Sequence, residues 1–130
     1  MATANSFQDL EIWKRARIIS NKVFGITYSN EFNKYFVLRD QMTRAAISIL
    51  SNISEGFERS GNKEFVQFLF ISKGSAGELL SQVIIATDQK IITEQESNVL
   101  IEDLKLIGAQ IGSLINYLKN SELKGSKFKK

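Results

Sequence analysis

Residues 93–118 read TEQESNVLIEDLKLIGAQIGSLINYL, and the apolar side chains recur at Leu100, Leu104, Ile107, Ile111, Leu114 and Leu118. Steps of four and three gather them on one face of an α-helix, whereas a half-buried strand would alternate at two. Thr93 stands where its hydroxyl can accept from a free amide of the first turn, and Glu96 completes a capping box. The same spacing recurs in three earlier segments. Ile12, Ala16, Ile19, Val23 and Ile26 mark the first, capped by Ser6 with Asp9 in support. Tyr35, Leu38, Met42, Ala45, Ile49 and Ile53 mark the second, with Asn33 as its cap and Gly56 near its end. Phe65, Phe68, Ser72, Ala76, Leu79, Val83 and Ala86 mark the third, which starts after Gly61-Asn62. The links, near 28–33, 57–62 and 88–93, are short, which sets neighbouring helices antiparallel. The expected fold is all-α: an up-down-up-down four-helix bundle over 7–118, an N-terminal extension at 1–6, and a basic, flexible tail at 119–130.

Composition narrows the function. The 130 residues include no Pro, no Cys and no His. Disulfides, thiolate nucleophiles and cysteine-held metals are excluded, and the usual proton-transfer side chain and commonest metal ligand are missing. Glu55, Glu64 and Glu78 are single acids on polar faces, and a bundle di-iron site would pair such acids with histidines. We therefore expect no catalytic residue, no metal, no cofactor and no small-molecule substrate. No stretch approaches about 18 uncharged apolar residues, and the first residues lack the positive start of a signal peptide. The expected location is cytoplasmic, with no membrane contact.

Net charge is +3, yet the last twelve residues carry +4, so the body is slightly acidic at −1. Within the body, Lys14, Arg15, Arg17 and Lys22 make the first segment basic. With Lys124, Lys127, Lys129 and Lys130 of the tail, they are the candidate nucleic-acid contacts, because phosphate neutralisation depends on Lys and Arg. Phe128 lies among the tail lysines, where it could stack on an unpaired base.

Two features exceed the needs of one bundle. Val66, Phe70, Gly77 and Ile84 form a second apolar stripe on the third helix, suited either to a wide core face or to contact with another copy. Gly74, Gly77, Gly108 and Gly112 sit inside helices, where each costs roughly 0.5–1 kcal/mol against Ala. Close approach of two backbones is the expected compensation.

On the second helix Arg44, Ser48, Asn52 and Glu55 share a polar face, suited to an ordinary wet surface or a specific hydrogen-bonding role. They lie in the run QMTRAAISILSNISEG, residues 41–56, which resembles the signature of the "four helix bundle protein" family. That family includes proteins encoded in intervening sequences of bacterial large-subunit ribosomal RNA genes. The likeness extends from Phe7-Leu10-Trp13-Ala16 through Asn62-Lys63-Glu64-Phe65, Phe68-Leu69, Gly74-Ser75 and Glu78-Leu79. Leu50 departs from it, since many members carry proline there, and a straighter helix is expected. The resemblance implies a ring-like homo-oligomer, a pentamer, without catalytic residues. It is similar too to the accessory bundle protein of diversity-generating retroelements, which binds a reverse transcriptase and nucleic acid. Gly56, Gly74 and Glu78 thereby join Arg44, Ser48, Asn52, Glu55, Val66, Phe70 and Ile84 as candidate assembly residues. Two readings stand: an oligomer associated with RNA or with a nucleic-acid-bound protein, and a protein-interaction scaffold that touches no nucleic acid.

Overall fold

The structure is a computed structural model and describes residues 4–122. Four α-helices follow one another among the described residues: α1 Glu11–Thr27, α2 Phe36–Glu58, α3 Asn62–Asp88 and α4 Glu94–Glu122. They pack as a bundle, with α3 central, its broad contacts made to α2 and α4; α1 rests on α2 and touches α4 least. The core is the sum of the apolar faces. Ile19, Val23, Met42, Ile49, Ile53, Phe65, Leu79, Val83, Leu100, Ile107, Ile111 and Leu118 are all buried. Tyr35 is the exception, exposed where the sequence pattern places it on the core face.

The helix ends depart from expectation at two points. Ser6 makes its capping box with Asp9, but around a separate 3-10 turn, Phe7–Asp9, before α1 begins. The Phe7 ring packs 5.2 Å from the Trp13 ring, which fixes that turn against α1. Asn33 caps nothing. Residues Asn30–Tyr35 form a 3-10 helix instead, and α2 starts at Phe36 without a side-chain cap. Phe32, fully buried, anchors that segment. The α4 start is as expected: the Glu96 amide donates to Thr93 Oγ1 at 3.0 Å, and the Thr93 amide to Glu96 Oε1 at 3.0 Å. α2 passes Leu50 unbroken.

The glycines are a correction. No atom outside the local backbone lies within 4 Å of a Cβ placed on Gly74, Gly77 or Gly108, and one on Gly112 meets Lys73 Cε at 3.6 Å. Among the described residues no second helix backbone comes within 4 Å of any of these Cβ positions. The close approach is at Gly56, where a Cβ would lie 2.7 Å from Phe68 Cβ and 2.9 Å from Phe65 Cδ1. The second stripe is split as well. Val66 is buried and belongs to the core, while Phe70 and Ile84 are about half exposed. α3 is long and apolar enough to cross a bilayer, the one such helix among the described residues, which the sequence reading did not anticipate. Here its buried side chains, Phe65 to Ala86, join the core.

α3 stops at a Schellman motif: the Ile91 amide bonds to the Ala86 carbonyl and the Lys90 amide to that of Thr87, both at 2.9 Å. Lys90 takes the left-handed conformation this requires, at φ 61°. A side chain there costs energy that glycine avoids. Lys90→Gly removes a left-handed penalty of roughly 1–2 kcal/mol against an added entropy cost of roughly 0.5–1 kcal/mol, so it is expected to stabilise the protein by about 0.5–1 kcal/mol, read as a higher urea midpoint at unchanged slope.

Candidate functional site

The middle of the polar row of α2, Ser48 and Asn52, is half-buried, and Ser48 faces α3, whereas Arg44 and Glu55 at its two ends are exposed. Asn52 Nδ2 donates to the Ser48 carbonyl at 2.9 Å and to Ser48 Oγ at 3.0 Å, and Ser48 Oγ shares a 2.7 Å hydrogen bond with Ser75 Oγ on α3. One turn away Ser72 Oγ, fully buried, donates to the Ile49 carbonyl at 2.8 Å. Small hydroxyl residues are used here because they let the helices approach while giving each buried polar atom a partner. Ser48, a mediocre helix former, is thus explained by the α2–α3 contact, and Asn52 supports it by donating to Ser48 from the next turn of α2.

The lower end of the row is differently built. Glu55 binds Arg59 at 2.7 Å, and the Arg59 guanidinium lies 4.9 Å from the Phe68 ring, beside Gly56. Trp13 Nε1 reaches across from α1 and donates to Ser54 Oγ at 3.0 Å. The 41–56 motif therefore joins α1, α2 and α3. Arg44, Gly74 and Glu78 are exposed, and Arg44 has no ion pair among the described residues.

The cations of α1 are largely occupied. Lys22 Nζ sits 2.8 Å from Asp103 on α4 and Arg15 3.8 Å from the same carboxylate, which closes the thin α1–α4 seam. Lys14 pairs with Glu11 at 3.7 Å, an exposed contact worth little. The Arg17 guanidinium lies 6.0 Å from the Trp13 ring. Asp103, Ser54, Ser72 and Ser75 were not legible as partners, since each acts across a helix interface. Lys124, Lys127, Lys129, Lys130 and Phe128 lie outside the described residues. No set of three or more acidic residues able to hold a metal occurs among the described residues.

A family model described as "23S rRNA-intervening sequence protein" matches residues 8–113. Among solved structures the chain is similar to a protein of unknown function from the S23 ribosomal protein family of Bacteroides thetaiotaomicron. The TM-score is 0.74 at 20% identity, over 80% of this chain and 97% of that one. At that identity the likeness speaks for the fold alone. No curated protein matches the chain.

Proposed function

The chain belongs to the 23S rRNA-intervening sequence protein family, and from that premise we propose that it is a non-enzymatic bundle protein that assembles as a ring-like homo-oligomer, a pentamer, and associates with RNA in the cytoplasm. An antiparallel, up-down-up-down course is part of the proposal. It is supported by the α2–α3 pairs, in which Gly56 meets Phe65 and Phe68 while the earlier Ser48 meets the later Ser75. The absence of His and Cys from the sequence favours a binding role over catalysis.

One observation carries the assembly. Among the described residues, eight of the thirteen exposed large apolar side chains fall on the 3-10 segment before α2, on α2 and on α3: Tyr35, Phe36, Val37, Ile47, Phe70, Ile71, Ile84 and Ile85. Val37 is 63% exposed and Ile85 49%, and both line one apolar depression with Tyr35, Phe36 and Leu38. An apolar surface of this kind on a 14.7 kDa chain is suited to partner contact. Light scattering of the full chain at tens of micromolar should give several times the subunit mass. Val37→Glu with Ile85→Glu, both at exposed sites, should lower it to the monomer with helicity retained. A monomeric parent ends the assembly reading.

The scaffold reading keeps one specific support: Lys14, Arg15 and Lys22, three of the four candidate cations on α1, are paired with acids of the same chain. A salt titration of binding to total cellular RNA separates the two, because phosphate contacts weaken as salt rises. No binding at low salt favours the scaffold.

A further inference from the structure

Three cations without an ion pair among the described residues stand along α3 and α4. An open groove of about 340 Å³ runs there, lined by Lys73, Ala76, Gly77, Leu80, Leu104, Lys105, Gly108, Ala109 and Gly112. Lys73 and Lys105 stand on opposite walls of this groove, one from each helix. The Lys73 stem passes over Gly112, and Lys119, two turns further along α4, holds its ammonium 5.2 Å from the half-exposed Phe70 ring. None of Lys73, Lys105 and Lys119 forms an ion pair among the described side chains. That sets them apart from Lys14, Arg15 and Lys22 of α1.

The floor makes the second half of the case. Gly77 and Gly108 carry the helix-interior penalty of glycine, and among the described residues no neighbouring atom lies within 4 Å of where their Cβ would be. Inside the monomer their lack of a side chain serves no contact. It lowers the groove floor between two lysine-bearing walls, so an elongated anion can settle close to both. An aromatic ring beside a cation at one end adds a face on which an unpaired base can stack.

We propose that the α3–α4 groove is the seat of a single-stranded nucleic-acid backbone, with Lys73, Lys105 and Lys119 neutralising phosphates over a glycine floor and Phe70 stacking a base. This rests on the RNA-association reading above and gives it a location that the sequence placed on α1. The contacts are to phosphates, so RNA and DNA single strands both bind.

The probes are fluorescent 20-mers of poly(U) and poly(dT), titrated with the full chain at 50 mM and 200 mM salt, with light scattering on every variant. Lys73→Gln with Lys105→Gln should weaken binding at least tenfold at 50 mM salt. It should also lower the salt slope by about 1.4, two phosphates at roughly 0.7 each. Lys73→Arg with Lys105→Arg should retain it. The sharper variant changes no charge: Gly77→Leu with Gly108→Leu fills the floor at positions with open space above them and improves helix propensity. A tenfold loss of binding with subunit number unchanged supports the groove. Binding equal to the parent's overturns it and leaves the RNA reading intact, because the parent still binds. A parent that binds neither strand at 50 mM salt overturns both. A change in subunit number on filling the floor overturns the groove in favour of a subunit interface.

Discussion

Replacing Gly56 by alanine is expected to destabilise the bundle by about 1–3 kcal/mol, the usual cost of forcing a methyl into a packed core. Helix propensity alone would favour the change by roughly 0.5–1 kcal/mol, so the sign is decided by space. The added Cβ would lie 2.7 Å from Phe68 Cβ and 2.9 Å from Phe65 Cδ1. The ring edge of Phe65 can swing; the Cβ of Phe68 is tied to the α3 backbone and moves only with the helix. Shortening Phe65 to leucine should therefore not rescue Gly56→Ala, because the Phe68 contact remains. Thermal melts of the variant should fall by roughly 5–15 °C for a chain of this length, while Gly77→Ala, at an open site, should melt no lower than the parent. A Gly56→Ala protein that melts with the parent would mean that α2 and α3 separate freely at this level.

The contrast between these glycines marks where the sequence stops being informative. Gly56, Gly77 and Gly108 look alike in a one-dimensional pattern, each a small residue in a helical run. What distinguishes them is whether another helix crosses at that height, which only the assembled bundle settles. The helix faces were legible because a period of 3.6 repeats along each segment and burial follows it; Leu100 to Leu118 and Ile12 to Val23 needed nothing else. Phe32 was not legible, being a single apolar residue in a link with no periodic neighbours, although it is fully buried. Charge shows the same limit. Lys22 looks unpaired among its sequence neighbours, yet its partner Asp103 stands 81 residues away on α4. The polar row on α2 was seen as a row, and its meaning changed once Ser75 came to face Ser48.

Removing residues 123–130 should weaken single-stranded RNA binding by at least tenfold at 50 mM salt, and the size of the effect follows from charge. The segment holds Lys124, Lys127, Lys129 and Lys130 and no acid, so its loss takes the formal charge from +3 to −1. If each lysine neutralises one phosphate, a single strand loses a salt slope of roughly 0.7 per contact, close to 3 in total. Raising salt from 50 to 200 mM then weakens the full chain about 50-fold more than the truncated one, so the two affinities should converge as salt increases. Assembly enlarges the difference, since several copies on one strand multiply each weak contact. The truncated chain keeps Lys73, Lys105 and Lys119, and its residual binding at 50 mM should disappear when the α3–α4 floor is filled. Equal affinity of full-length and truncated protein at both salts would remove the lysines of 123–130 from the mechanism and leave the folded body as the whole binding surface.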